Sequence, residues 1–283
     1  MEIIIGKNAG FCYGVQRAVN KALEEVKTNK IYCLGQIVHN QNVIDKLESS
    51  GLHFINTIDQ AKGNTIIRAH GVPKEIYEKA EKMNIKLIDL TCPSVLKIQK
   101  LAEEYSNKGY FIIIVGKANH PEVIGIESRA GNDYIIINDK SNIPELLKKI
   151  EGKKSILLIS QTTHSLKKFD EIVEELKNKV NQDVVLEIKK TICLSTEIRQ
   201  RETEEIARKV DMMIIVGDKR SSNTKKLYDI ACNYCNNVVF VSNETEIELD
   251  RFKGIKSVGI MAGASTPKED IIKIKEVLIK NDK

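Results

Sequence analysis

Short apolar runs alternate with amphipathic, Lys/Glu-rich segments along the whole of this 283-residue chain. The runs, such as GYFIIIVGK, KSILLISQTT and VDMMIIVGDK, end in small or polar residues. The segments between them, such as VLKIQKLAEEYSNKG, have the apolar spacing of surface helices. Strands that alternate with helices in this way form parallel sheets covered on both faces. We therefore predict an α/β fold, and the length suits one to three units of this kind.

The composition excludes several classes of protein. The formal charge is only +5, from 44 basic and 39 acidic residues, and aromatic residues make up 5% of the chain. A nucleic-acid-binding protein concentrates its basic residues on one face, so no such partner is expected. No apolar run approaches the roughly 18 residues that span a bilayer, and the N-terminus lacks the features of a signal peptide. We expect a cytoplasmic protein with no membrane partner.

Three of the six cysteines, Cys12, Cys92 and Cys193, follow strand-like runs and precede helix-like runs. This arrangement is a weak internal repeat. Three such units packed around a pseudo-threefold axis would bring the thiols together. The positive end of each following helix would favour the thiolate form that a metal requires. On position alone, three buried and inert thiols are about as good an interpretation.

Three converging thiolates suit either a zinc ion or an iron–sulfur cluster. Zinc requires a fourth protein ligand in a structural site, or an open position in a catalytic site. A four-iron cluster with three cysteine ligands leaves one iron free to bind a substrate oxygen. The spacing of the cysteines does not choose between the two. If the metal is zinc, the expected function is a zinc-dependent hydrolase of a phosphorylated metabolite. This is the alternative to an iron–sulfur enzyme.

The remaining cysteines are predicted to be structural. Cys232 and Cys235 form a CxxC pair, but this pair ends a helix-like stretch instead of opening one, and no second pair is present. Cys33 lies inside the strand-like run IYCLG and is expected in the core. Disulfides are not expected, because the cytoplasm keeps thiols reduced.

Histidines lie in the loops after the strands, where the ligands of open α/β sheets bind. His39, His70 and His120 each occupy such a loop. Imidazoles can bind a phosphate, a hydroxyl or a metal, so these three predict a ligand pocket. His53 and His164 lack this context and are expected at the surface.

Two other loops predict anion binding. Lys219–Thr224 and Ala264–Glu269 each lead into a helix, where free amides and hydroxyls can hold a diphosphate. In the second loop, Thr266 and Glu269 suggest a capping box, with Pro267 at the first helical position. That arrangement leaves Ser265 to face a ligand.

Glu122 follows His120 by two residues and is the best candidate for a general acid. Thr162 and Thr163 follow the apolar part of SILLISQTT. Because side chains alternate along a strand, only one of the two should face the site, and we favour Thr162.

The order and spacing of these motifs resemble the 4-hydroxy-3-methylbut-2-enyl diphosphate reductase family of the non-mevalonate isoprenoid pathway. The resemblance runs through GFCYGVQRAV, IVHN, AHGV, DLTCP, HPEV, QTT, the Cys193 loop, SSN and AGAS, and so covers nearly the whole chain. It implies three similar α/β domains with mainly parallel sheets, in a pseudo-threefold trefoil around a central [4Fe–4S] cluster, one per chain. The expected domains are residues 14–92, 93–191 and 192–283, the third completed by residues 1–13.

The resemblance also implies roles for the site residues. Cys12, Cys92 and Cys193 would hold the cluster, and its fourth iron would bind the substrate hydroxyl. Glu122 and Thr162 would be catalytic and relay protons. Two electrons from a ferredoxin or flavodoxin would remove the hydroxyl as water, which yields isopentenyl or dimethylallyl diphosphate. The substrate would be bound by His39, His70, His120, Thr162, Thr163, Ser221, Ser222, Asn223 and Ser265.

Overall fold

The computed structural model describes residues 1–28 and 30–281. Within them the chain divides into two compact units. The first unit consists of Met1–Gln16, Val38–Leu47 and the chain from Leu194 onward, and the second unit of Arg17–Ile37 and Glu48–Cys193. Helices α1 (Tyr13–Glu25) and α2 (Gln41–Ser49) contain residues of both units.

The first unit contains a four-stranded parallel sheet in the order β1–β12–β10–β11. The N-terminal strand therefore pairs with the last strand of the chain, with Ile3 opposite Val258. The strands are β1 (Glu2–Ile5), β10 (Met212–Val216), β11 (Val238–Val241) and β12 (Ser257–Ala262), and the helices are α8 (Leu194–Ala207), α9 (Ser222–Tyr234) and α10 (Lys268–Asn281).

The second unit contains two four-stranded parallel sheets, in the orders β3–β2–β4–β5 and β7–β6–β8–β9. The strands of the earlier sheet are β2 (Ile31–Leu34), β3 (Leu52–Ile55), β4 (Thr65–Ile67) and β5 (Leu87–Asp89). Those of the later sheet are β6 (Phe111–Val115), β7 (Tyr134–Ile137), β8 (Ser155–Ser160) and β9 (Val185–Ile188). The helices are α3 (Lys74–Lys82), α4 (Pro93–Asn107), α5 (Pro121–Glu127), α6 (Ile143–Ile150) and α7 (Leu166–Lys179).

The same strand order recurs in all three sheets. In each sheet the first strand along the chain pairs with the second strand on one side and with the third on the other, and the third pairs with the fourth at the edge. In the first unit the N-terminal strand β1 takes the place of the fourth strand. This confirms the prediction of three similar, parallel α/β units. The domain boundaries and the trefoil arrangement stay predictions.

The inner strands show why apolar runs form these sheets. All five residues of β6 are buried. Phe111, Ile113 and Val115 pack with α6 and α7, whereas Ile112 and Ile114 pack with α4 and α5 on the opposite face. Burial of each such side chain contributes about 1.5–3 kcal/mol. Because both faces are covered, the run is continuously apolar instead of alternating.

The structure confirms that Cys33 lies in the core. Cys33 is fully buried in β2, and burial raises the pKa of its thiol to about 12. Cys235 is buried at the end of α9, where its thiol donates to carbonyls that include Asn237 O at 3.3 Å. Cys232 is exposed. None of the helices in the described part of the chain has the length and apolarity needed to cross a membrane.

Candidate functional site

Cys12, Cys92 and Cys193 occupy the same position in the three sheets. Each follows the fourth strand of its sheet, β1, β5 or β9, and precedes the first residue of a helix, α1, α4 or α8. All three are half-buried and reduced. Each cysteine therefore lies at the N-terminal end of a helix.

The backbone around the three cysteines repeats as well. The Cys12 N–H donates to Ala264 O at 3.2 Å, the Cys92 N–H to Ala69 O at 3.0 Å and the Cys193 N–H to Thr162 O at 3.0 Å. Every acceptor lies in the loop that follows the third strand of the same sheet. These loops also carry Ser265, His70 and Thr163. The repeat thus joins each candidate metal ligand to a loop with candidate substrate-binding groups.

Within the second unit, the structure brings the regions around Cys92 and Cys193 together. The hydroxyl of Ser94, two residues after Cys92, lies 3.8 Å from the Cys193 sulfur. The serine is the second residue of α4, so the start of this helix faces the thiol that follows β9. Two of the three predicted cysteine ligands therefore belong to neighbouring loops of one unit.

Two arginines, whose roles the sequence analysis missed, hold the cysteine loops. The Arg17 Nη2 donates to Leu90 O at 3.2 Å and to Thr91 O at 2.7 Å, just before Cys92. In the first unit, Arg199 is buried and donates to Gly10 O at 2.8 Å. Each arginine lies near the start of a helix that follows a cysteine. That repeated position is the one signal by which they could have been found.

Glu122, Thr162 and two histidines form a second group in the second unit. Glu122 is 1% exposed, and its carboxyl oxygens accept the Thr162 N–H at 2.6 Å and the Thr162 hydroxyl at 2.7 Å. His120 caps α5 by accepting the Glu122 N–H on its Nδ1 at 3.2 Å. The rings of His70 and His120 lie edge to face, with centroids 5.5 Å apart.

Burial raises the pKa of Glu122 to about 7, although both hydrogen bonds from Thr162 act to lower it. A carboxyl group with such a pKa is partly protonated at neutral pH and suits a general acid. Of the two candidate threonines, Thr162 is the one that forms hydrogen bonds with the Glu122 carboxyl group. The Thr163 hydroxyl instead accepts the Gln161 Nε2 at 2.8 Å.

In the first unit, the Asn223 side chain lies near the start of α9. It is 4% exposed, yet neither its Nδ2 nor its Oδ1 has a hydrogen-bond partner. Ser221 caps the helix by accepting the Thr224 N–H at 3.3 Å, and Ser222 is the first helical residue. A helix N-terminus beside an unpaired amide is suited to bind an anion.

The Ser265 loop differs in part from the prediction. The Ser265 hydroxyl donates to His39 O at 3.0 Å, which joins two predicted substrate-binding loops. Thr266 forms no capping box: its side chain is fully buried, and its hydroxyl donates to Val216 O at the end of β10. Helix α10 begins at Lys268, one residue later than expected.

The prediction for His164 was wrong, whereas His53 is exposed as expected. His164 is 1% exposed. Its backbone N–H donates to Gln161 O at 3.1 Å, in a tight turn after β8. The sequence pattern shows the turn but not the packing that covers it.

Comparison with known proteins identifies the family. The LytB protein family matches residues 3–279 of the chain. The 4-hydroxy-3-methylbut-2-enyl diphosphate reductase of Clostridioides difficile is 41% identical over 271 residues, which cover 94% of this chain and 95% of that protein. The protein of the same name from Caldanaerobacter subterraneus is 40% identical, with 98% of each chain covered.

Two solved structures are also similar. The E-1-hydroxy-2-methyl-but-2-enyl-4-diphosphate reductase of Plasmodium falciparum has a TM-score of 0.89 at 30% identity, over 98% of this chain and 87% of that one. A second structure, of an (E)-4-hydroxy-3-methyl-but-2-enyl diphosphate reductase, has a TM-score of 0.71 at 36% identity, over 99% and 100% of the two chains.

These matches confirm the resemblance inferred from the short motifs, and with it the expected class of enzyme, an oxidoreductase. None of the relatives described above supports the alternative of a zinc-dependent hydrolase. The chain belongs to the LytB family.

Proposed function

We propose that this chain reduces (E)-4-hydroxy-3-methylbut-2-enyl diphosphate to isopentenyl diphosphate and dimethylallyl diphosphate. The reaction consumes two electrons and two protons and releases the hydroxyl as water. The names of the relatives support this substrate. The observation that carries the proposal is the repeat of Cys12, Cys92 and Cys193, each anchored through its N–H beside a loop of polar side chains.

The donor set fits an iron–sulfur cluster. Cys12, Cys92 and Cys193 would supply three thiolates, and no fourth protein ligand is required of them. When bound, a [4Fe–4S] cluster held in this way supplies electrons and, at the iron that lacks a cysteine, a Lewis-acid site for the substrate hydroxyl. Arg17 and Arg199 would hold the cysteine loops in the conformation that binding needs.

The diphosphate would be bound by imidazole, hydroxyl and amide groups. The histidines can donate ring N–H groups, and the start of α9 offers backbone amides and the unpaired amide of Asn223. Fixing the charged end of the substrate would place its hydroxyl end at the cysteines. The proposed groups are His39, His70, His120, Thr162, Thr163, Ser221, Ser222, Asn223 and Ser265.

Glu122 and Thr162 would deliver the protons. With a pKa of about 7, the carboxyl group can hold a proton at neutral pH and release it when the leaving hydroxyl becomes basic. The Thr162 hydroxyl already donates to this carboxyl, so the two groups form a short relay. Both are buried, which excludes bulk water as a competing proton source.

A small electron-transfer protein, a ferredoxin or flavodoxin in the cytoplasm, would supply the electrons. The substrate gains two electrons in the proposed reaction, and none of the proposed side chains can supply them. The electrons would therefore come from outside the chain.

An anaerobic assay tests the proposed function. Cluster-reconstituted protein is mixed with reduced methyl viologen and the hydroxylated allylic diphosphate, and viologen oxidation and both products are measured. We expect brown protein that contains iron and sulfide and that forms both products. Colourless protein with stoichiometric zinc, or cluster-loaded protein without turnover, would contradict the proposal.

Replacement of Asn223 by alanine should weaken substrate binding without destabilising the fold. The Asn223 amide makes no hydrogen bond within the protein, so its removal loses none. We expect the KM to rise by at least about tenfold, the effect of losing one hydrogen bond to a charged group. Calorimetric melting should show an unchanged or slightly raised Tm.

Asn40 is the matched control for the effect of Asn223→Ala on stability. It is also buried, but its Oδ1 accepts the Val43 N–H at 3.1 Å near the start of α2. Asn40→Ala should therefore lower the stability by about 1 kcal/mol. If Asn223→Ala lowers the Tm as much as Asn40→Ala and leaves the KM unchanged, Asn223 is a structural residue.

A further inference from the structure

Gln99 lies in α4 between two glycines of the second unit. Its side chain is 1% exposed. A Cβ on Gly71 would lie 2.7 Å from the Gln99 Nε2, and a Cβ on Gly125 would lie 2.8 Å from the same atom. The amide nitrogen therefore fills a space that neither neighbour could share with a larger residue.

The two glycines belong to segments that carry proposed substrate-binding groups. Gly71 directly follows His70, and Gly125 lies in α5, which His120 caps and which contains Glu122. The segments also touch each other, since a Cβ on Gly125 would lie 3.3 Å from Val72 O. Gln99 thus contacts both segments at the point where they meet.

A hydrogen-bonded arginine secures the same junction. The Arg129 Nη1 donates to Gly125 O at 2.7 Å and to Val72 O at 3.2 Å. The guanidinium ties the His70 loop to α5 at Val72, and one residue earlier the Gln99 side chain limits how closely Gly71 can approach Gly125. The distance between the His70 loop and α5 is therefore set by the hydrogen bonds of Arg129 and by the volume of the Gln99 side chain.

The amide of Gln99 acts through its shape. Neither its Nε2 nor its Oε1 has a hydrogen-bond partner, although both atoms are buried. A polar group in this state contributes no hydrogen bond to the fold. An unbranched apolar side chain of the same length should serve equally well as a spacer.

We propose that Gln99 is a positioning residue, whose side chain between Gly71 and Gly125 sets the separation of His70 from His120 and Glu122 and thereby the affinity for the diphosphate. The effect on diphosphate affinity rests on the proposed function, whereas the effect on the separation does not.

Four variants test the spacer. Gln99→Ala empties the space, Gly125→Ala overfills it, and the double variant Gln99→Ala/Gly125→Ala replaces part of the lost volume with the new methyl group. Gln99→Met keeps the length without the amide. Two quantities are measured on cluster-loaded protein: the Kd for inorganic diphosphate by calorimetry, and the separation of the His70 and His120 rings in crystal structures.

We expect Gln99→Ala and Gly125→Ala each to raise the Kd by about tenfold to a hundredfold and to change the 5.5 Å separation of the ring centroids. The double variant should recover part of the affinity, because neighbouring substitutions couple. Gln99→Met should keep both the Kd and the ring separation of the unmodified protein. A merely structural residue would lower the Tm and move neither quantity.

The outcomes separate the two proposals. If the unmodified protein does not bind diphosphate, the proposed substrate is wrong, and the ring separations still decide the role of Gln99. If neither Gln99→Ala nor Gly125→Ala changes the ring separation, the positioning role is overturned. It is also overturned if Gln99→Met weakens diphosphate binding as much as Gln99→Ala, because the amide itself would then be required.

Discussion

Cys92→Ser protein should be colourless after anaerobic reconstitution and should show no measurable turnover. The cysteine lies between the backbone anchor at Ala69 and the start of α4, so serine can take its place without moving the chain. An alcohol, however, stays protonated at neutral pH and is a poor ligand for iron in such a cluster. Loss of a group that only hydrogen-bonds to a metal ligand reduces activity by up to about 100-fold. Loss of the ligand itself should therefore reduce turnover by more than that. Visible absorption, iron and sulfide content and viologen oxidation measure the result.

The same loss is expected for Cys12→Ser and Cys193→Ser, because the three cysteines occupy equivalent positions. The matched controls are Cys235→Ser and Cys232→Ser. Cys235 is also buried near a helix end, but its thiol faces backbone carbonyls to which a serine hydroxyl can donate. Both controls should keep their colour and activity. Full iron content in Cys92→Ser, or its loss in Cys235→Ser, would show that the ligands are assigned wrongly.

Glu122→Gln should keep the cluster and bind substrate but lose most of its turnover. Glutamine has the size of glutamate and can still accept the Thr162 N–H, so the loop should stay in place. It cannot release a proton, and loss of a general acid reduces the rate by about 100-fold to 10,000-fold. The kcat measured anaerobically should fall accordingly, while the KM changes little. Unchanged turnover in this variant would exclude Glu122 as the proton donor.

The pH dependence provides a second test of Glu122. Its pKa of about 7 means that the protonated, active form is depleted as the pH rises above neutrality. The kcat of the unmodified protein should therefore decline above pH about 7, in step with this titration. The residual activity of Glu122→Gln should lack that decline. A decline of equal size in both proteins would assign it to another group.

Glu122→Gln should also change the stability of the fold in a pH-dependent way. The pKa is raised from 4.5 to about 7 in the folded state, so the folded protein binds more protons than the unfolded chain in this interval. The stability contributed by the protonated carboxyl is present below 4.5 and is lost as the pH rises towards 7. Glutamine resembles the protonated form at every pH. The variant should therefore be more stable by up to about 3 kcal/mol at pH 8 and nearly equal at pH 4.5, as denaturant unfolding would show.

Local sequence patterns were sufficient to predict the elements of the fold and the candidate ligands. The continuous apolar run of β6 predicts a strand buried on both faces, and the helix-like run after it predicts the covering layer. The position of Cys92 between a strand and a helix marks it as a candidate ligand, while the position of Cys235 at a helix end marks it as structural. The prediction of the fold succeeds because the apolar period and the order of strand, loop and helix depend on neighbouring residues. The role of Cys92 as a ligand stays a prediction.

The tertiary structure decided which of these residues contact one another. The Glu122 carboxyl pairs with Thr162, 40 positions away along the chain, and this contact and burial together determine its pKa. The Ser265 hydroxyl donates to a carbonyl 226 positions away, and His164 is buried against expectation. Arg17 and Gln99 acquire their roles only because α1 and α4 pack where they do. The sequence by itself therefore determined the repeated α/β units and the position of three cysteines between a strand and a helix, whereas the structure showed that each of these strands is the fourth of its sheet. The hydrogen bond between Thr162 and Glu122 and the separation of His70 from His120 depend on packing between residues far apart in the chain. Such packing produces no periodic or local pattern in the sequence.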